Sequence, residues 1–154
     1  MVRWELDAET YEKYADELIR FATFLVGPTD APDVLSSTVL RVLSSSPSSP
    51  VRNWRAYLFR AVLNEARTRH RRLSRHNRLL QSAAQRDATE MSEIHPEVVA
   101  AVSRLSPRQR AVVFLTYWDD LDPATVASLL DVSEGSVRRH LARARARLRR
   151  MLDD

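Results

Sequence analysis

Residues 122–150 read "DPATVASLLDVSEGSVRRHLARARARLRR", and two separate helical rhythms run through them. Asp122 and Pro123 are residues that open helices, and Val126, Ala127, Leu129 and Leu130 give the short helix that follows an apolar face. Asp131-Val132-Ser133 then turns the chain. Ser133 caps a longer helix in which Val137, Leu141, Ala144, Leu148 and Met151 recur at spacings of four, three, four and three. Seven arginines between 138 and 150 occupy its other faces. A short helix, a three-residue turn and a longer capped helix form the helix-turn-helix layout.

In that layout the second helix enters the major groove by its N-terminal end, where side chains reach base edges. The candidate duplex-reading set is therefore Ser133, Glu134, Gly135, Ser136, Arg138 and Arg139, with Arg143 one turn on. Gly135 has no side chain, so the helix start can come close to a DNA backbone, and the free amides of the first turn can hold a phosphate.

Upstream, structure resumes at Val98. Ser106 caps and Pro107 opens a helix whose Ala111, Val112, Phe114, Leu115 and Trp118 are expected to be buried. Further back, Tyr11, Tyr14, Leu18, Phe21, Ala22 and Leu25 form an amphipathic helix ended by Gly27-Pro28. Asp30 is the expected N-cap of a second helix, with Pro32 in its first turn and Val34, Leu35, Thr38, Val39 and Val42 inside. Serines and prolines make residues 44–53 a loop. Asn53 caps a third helix that runs from Trp54 into the seventies, with Trp54, Tyr57, Leu58, Ala61 and Val62 on its buried face. The fold class is all-α. Two small helical domains, 1–78 and 98–154, are expected on either side of a linker over 79–97.

Composition limits the function. With 154 residues, 44% of them hydrophobic, the chain can bury a core. Two glycines are too few for phosphate-cradling loops, and the absence of cysteine excludes thiolate catalysis and cysteine-ligated zinc. His70, His76, His95 and His140 have no metal-ligand spacing, so neither an enzyme nor a cofactor is expected. No apolar run is long enough for a membrane span, and "MVRWELDAETYEKY" is unlike a secretory signal, which makes the cytoplasm the expected location. The net charge of +4 hides segregation: residues 1–40 carry −5, 41–86 carry +10, 87–137 carry −6 and 138–154 carry +5. Two basic blocks either side of an acidic one suggest two contact points on one polyanion.

The middle block places Arg55, Arg60, Asn64, Arg67, Thr68, Arg71 and Arg72 on or after an aromatic-bearing helix. Aromatic side chains and arginines together suit melted or single-stranded DNA. Trp54 and Tyr57 themselves are read as core, while Arg55 and Arg60 fall off that face toward the DNA backbone.

"WRAYLFRAVLNEARTRHRR" and "LSPRQRAVVFLTYWDDLDPATVASLLDVSEGSVRRHLARARARL" resemble the −10-reading helix and the −35-reading domain of extracytoplasmic-function sigma factors, group IV of the bacterial sigma-70 family. "APDVLSSTVLRVL" resembles the family's polymerase-docking helix, which makes Asp33, Ser36, Ser37, Leu40 and Arg41 the candidate docking residues. The resemblance covers residues 10–75 and 98–152. It implies that core RNA polymerase and promoter DNA are partners, duplex at −35 and melted at −10, with an anti-sigma factor as a further candidate. It also implies that the Ser/Pro loop helps hold a flipped base. The chain departs from the family pattern at Ser36 and Ser37, where a Gln and an acidic residue are usual. It departs again at Thr68, where an Asp is common. Shorter side chains at 36 and 37 point to weaker docking. The alternative is a LuxR-type helix-turn-helix regulator that binds duplex without polymerase, and "SEGSVRRH" suits either. A third is a sigma-like adaptor that binds DNA without initiating.

Overall fold

The structure is a computed structural model that describes residues 5–45, 47, 49–77 and 96–153. Its elements, in chain order, are α1 (Ala8–Val26), α2 (Ala31–Ser44), α3 (Trp54–Asn77), α4 (Pro96–Ser103), α5 (Pro107–Tyr117), α6 (Pro123–Leu130) and α7 (Glu134–Asp153). None of these helices is long and apolar enough to cross a membrane. Of the stretch 79–97 read as linker, Pro96 and Glu97 begin α4, two residues before the expected restart at Val98; residues 79–95 lie outside the described residues. A proline suits a first helical turn because its missing N–H has no partner to lose there.

Local chemistry explains the helix ends. Asp7 accepts from Thr10 N, Asn53 from Ala56 N at 3.0 Å, and Asp122 from Thr125 N at 2.7 Å. Ser106 forms a reciprocal capping box with Gln109. Gly27 ends α1 at φ +87°, a backbone conformation that residues with a Cβ resist. Asp30 keeps its expected N-cap position without making a side-chain cap. Its carboxylate instead lies 3.5 Å from Arg69 of α3.

The N-terminal three helices pack on one another, as do α5, α6 and α7, but the two halves also share one core. Helix α1 packs on α5, and α3 packs on both α5 and α6. Phe21 has no exposed surface; its ring centroid lies 4.7 Å from that of Phe59 and 5.5 Å from that of Phe114. Phe24 touches Phe114 at 5.4 Å and Trp118 at 5.3 Å. Trp118 corrects the expectation of burial. It is 57% exposed at the end of α5, with its ring stacked on Phe114 and its edge in water. The buried face of α3 is also turned from the one expected. Ala56, Leu58, Phe59, Val62, Leu63 and Ala66 are buried, while Trp54, Tyr57 and Ala61 are half-buried at its margin.

Arg110 crosses the same seam. Its Nε donates to the carbonyls of Val102 (3.0 Å) and Leu105 (3.1 Å), while its Nη atoms donate to those of Ser103 and, across the seam, Leu25. Burial lowers its pKa to about 10, so it remains charged near neutrality and caps the C-terminal carbonyl end of α1.

Candidate nucleic-acid interface

Asp131 ends α6 in the left-handed region at φ 55°, ψ 49°, which turns the chain sharply into α7. Ser133 Oγ accepts from Ser136 N at 3.0 Å and so fixes the first turn of α7. Val137, Leu141 and Ala144 bury the inner seam of that helix, and Leu148 packs at its margin. With the seam held inward, Ser133, Glu134, Gly135, Arg138, Arg139 and Arg143 are exposed and Ser136 is half-exposed. Arg138 pairs with Glu134 at 2.6 Å on the surface. Toward the far end of α7, Arg145 Nε donates to the Tyr117 hydroxyl at 2.6 Å and lies over its ring.

A Cβ added at Gly135 meets only Arg139 Nη1, at 3.6 Å, an ordinary contact. Gly135→Ala is therefore expected to stabilise α7 by up to about 1 kcal/mol through helix propensity. If the helix start approaches phosphate closely, the same variant binds −35 duplex more weakly. Melting and duplex titration check the two together; a tighter-binding Gly135→Ala would show that the backbone does not come near.

On α3, Arg60, Asn64, Arg67, Thr68 and Arg71 fall within about 100° of one another at 100° per residue, and Arg72 lies beside them. Asn64, Arg71 and Arg72 are exposed, while Arg60, Arg67 and Thr68 are half-buried. Thr68 Oγ1 donates back to Asn64 O at 3.0 Å. Arg55 lies on the opposite side of the helix. It donates two hydrogen bonds to Glu17, at 3.2 and 2.9 Å, covers Phe59 and lies 3.9 Å from Asp119. Its hydrogen bond to Glu17 raises its pKa above the usual guanidinium value. The structure thus gathers five of the seven candidate strand-reading residues with Arg72 at their edge, and places Arg55 elsewhere.

Helix α2 turns Asp33, Ser36, Leu40 and Arg41 outward on one face, with Ser37 half-exposed beside them. Leu40 and Leu43 are 66% and 59% exposed, large values for leucine. Arg41 reaches Glu65 of α3 at 3.1 Å, and Glu65 is itself buried. Sequence reasoning missed Leu43, although it lies off the inner stripe of its own helix. It also missed Arg108, which is exposed on α5; Arg67 and His140 both have lowered pKa values, first from desolvation and then from the nearby Arg108. Pro107 and the cap pattern identified that helix as a packing element, and its one outward arginine carried no sequence signal.

His70 and His140 both have lowered pKa values, first because they are desolvated and then because of arginines: Arg110 beside His70, and Arg108, Arg143 and Arg139 around His140. The unfolded chain takes up those protons near pH 6.5 and the folded one only below it, so stability falls as pH drops through that value. Asp119 acts in the opposite sense, because burial raises its carboxyl pKa. Urea midpoints are expected to fall between pH 7.5 and 5.5, and His70→Gln/His140→Gln should flatten that slope.

Among the described residues no group of histidine, aspartate and glutamate is placed to hold a metal ion. The arrangement offers three surfaces: an arginine-bearing helix start on a helix-turn-helix, a cationic stripe on α3, and a partly apolar face on α2.

Two family models match the chain. "Sigma-70 region 2" covers residues 10–76, which hold α1 to α3 but for their outermost residues, and "Sigma-70, region 4" covers residues 95–148. The RNA polymerase sigma-E factor of Streptomyces avermitilis is 33% identical over 153 residues, spanning 93% of this chain and 85% of the relative. That of Streptomyces coelicolor is 34% identical, spanning 92% and 85%. Among solved structures, the sigma factor RpoE of Bartonella quintana, in complex with the anti-sigma factor NepR, superposes with a TM-score of 0.60 at 20% identity. It covers 94% of this chain and 95% of that one. CnrH, in complex with the cytosolic domain of CnrY, gives 0.59 at 26% identity, covering 94% and 86%.

Proposed function

Because this chain belongs to the sigma-70 family and is an RNA polymerase sigma factor of the extracytoplasmic-function type, we propose how its three surfaces divide the work of initiation. Its partners are core RNA polymerase and promoter DNA, and a LuxR-type regulator is not favoured. The start of α7, through Ser133, Glu134, Gly135, Ser136, Arg138, Arg139 and Arg143, reads duplex at −35. The stripe Arg60, Asn64, Arg67, Thr68, Arg71 and Arg72 engages the −10 strand as it melts, and Arg55 supports that helix from behind. The α2 face of Asp33, Ser36, Ser37, Leu40 and Arg41 docks on core polymerase, with Leu43 adding apolar area. The chain belongs to group IV, acts in the cytoplasm without catalysing a reaction of its own, and divides into an N-terminal unit over 1–78 and a C-terminal unit that begins with α4 at Pro96. An anti-sigma factor restrains it, by likeness to the sigma factor RpoE of Bartonella quintana, whose solved structure is a complex with the anti-sigma factor NepR.

One observation carries most of this reading. Arg60, Arg67 and Arg71 share one face of α3 with Asn64 and Thr68, and none of the three fills the core that Phe59 and Val62 face. Arginine grips phosphate bidentately and stacks on unpaired bases.

Footprinting on promoter DNA tests the division. Protection at both elements should require core polymerase. Equal protection by the chain alone would support the duplex-only rival. Arg71→Ala should slow open-complex formation several-fold more than it weakens closed binding, as read by permanganate reactivity against filter retention. Equal effects would place Arg71 on duplex.

A further inference from the structure

Glu65 is an acid where its helix asks for an aliphatic side chain. On α3, Leu58, Val62 and Glu65 recur at spacings of four and three, the rhythm of a packed stripe, and Leu58 and Val62 have no exposed surface. Glu65 is buried with them, at 7% exposure. The other two buried polar residues among those described are satisfied within their own helices. Thr38 Oγ1 donates to Val34 O at 2.7 Å, and Gln109 closes the capping box of α5. Glu65 looks to a different helix. Arg41 Nη2 of α2 lies 3.1 Å from its Oε2, an ion pair rather than an aligned hydrogen bond. Burying a carboxylate costs free energy that a leucine at 65 would not, so the packing of α2 on α3 does not by itself explain the residue.

Arg41 is the reverse case. Its side chain is 62% exposed while that of Glu65 is 9% exposed. It stands on the outward face of α2 with Asp33, Ser36 and Leu40. A guanidinium carries five N–H donors. Among the described residues Glu65 is the only carboxylate at salt-bridge distance from Arg41, and it meets one Nη, which leaves most of the fork to solvent. A long exposed arginine samples many rotamers, and ordering it at an interface costs free energy. An anchor buried in the neighbouring helix removes part of that cost in advance.

Resting on the sigma-factor reading above, we propose that Glu65 is a positioning residue for polymerase docking: it holds the Arg41 guanidinium across the joint between α2 and α3 and presents the free N–H groups to an acidic group of core polymerase. A held fork meets a carboxylate through two parallel hydrogen bonds. Ser36 and Ser37 give the same face short side chains, so an anchored arginine carries more of the contact. Arg41 stays on Glu65 while it docks, because leaving would strand a buried carboxylate.

Titration of core polymerase against the labelled full-length chain tests this, with Glu65→Gln, Glu65→Leu, Arg41→Ala and the double variant Glu65→Leu/Arg41→Ala. Each single change should weaken binding by about threefold or more. The double variant should lose no more than Arg41→Ala alone, because both changes break one device. Urea titration separates positioning from support of the fold. Glu65→Leu should unfold no earlier than the unmodified chain, since a leucine suits the stripe. Glu65→Gln keeps the side-chain shape and should lose affinity as well, so the test does not hang on how leucine packs. Glu65 variants that bind core polymerase like the unmodified chain overturn the proposal. So do single losses that multiply in the double variant, or affinity that falls only in step with the urea midpoint. An unmodified chain that fails to bind core polymerase would instead contradict the sigma-factor reading, so the two failures are distinguishable.

Discussion

Phe21→Ala is expected to cost about 3–5 kcal/mol of unfolding free energy, the range for emptying a fully buried phenylalanine site. The ring has no exposed surface and touches Phe59 on its own side and Phe114 on the other, so neither half can close the cavity alone. A loss of that size is a large fraction of the total stability of a small protein, about 5–15 kcal/mol. Because Phe21 serves both halves, its loss should move the unfolding of α1–α3 and of α5–α7 together. Urea titrations followed by tryptophan fluorescence and by far-ultraviolet circular dichroism should shift in step. Phe24→Ala, whose ring is only half-buried, should cost clearly less. A Phe21→Ala chain that loses under about 1 kcal/mol would mean that the ring does not fill the shared core.

Arg139→Ala should weaken binding to −35 duplex by about 1–3 kcal/mol, or about 5- to 150-fold, if its guanidinium reads a base edge. Arg139 is exposed, at the start of a capped helix, and among the described residues no carboxylate stands at salt-bridge distance from it. Arg138 differs, because it must leave Glu134 before it meets DNA. An exposed pair of this kind is worth little, so Arg138→Ala should fall in the same range or slightly below it. Arg139→Lys should recover less than half of the loss, because an ammonium cannot make the planar two-pronged contact. Competition among operators that differ at single base pairs separates the two possible roles. A base-reading arginine relaxes preference at one position when removed, whereas a phosphate contact lowers affinity uniformly and reduces the salt slope by about one.

Much of this was legible because local chemistry governs it. Ser106 with Gln109, Asn53, Asp122 and Ser133 cap where their side chains can reach a free amide three residues on, and a sequence shows that spacing directly. The seam of α7 was legible for the same reason, since Val137, Leu141 and Ala144 repeat with the helix. Partners distant in sequence were not. Asp30 has the right residue type and position for a cap, but Arg69, 39 residues away, takes its carboxylate. Arg55 looked free on α3 because Glu17 and Asp119 come to it only in the folded chain.

The packing of the two halves was the main thing missed, although one signal was present. Residues 111–115, Ala-Val-Val-Phe-Leu, are all buried. A helix that buries every side over a full turn needs partners on more than one face. Val113 carries that information and belonged to no stripe in the sequence pattern. Trp118 was misjudged for the opposite reason. It ends α5, where Phe114 and Phe24 cover part of the ring and more than half of the residue stays exposed.

The central claim is that this chain directs core RNA polymerase to promoters through the α7 start and the α3 stripe. Run-off transcription tests it most directly, using purified core polymerase and a library of randomised promoters with and without the chain. The account requires chain-dependent transcripts whose templates share one motif near −35 and another near −10, lost together when Arg71 and Arg139 are both replaced by alanine. Transcript levels and template preferences unchanged by adding the chain would contradict it.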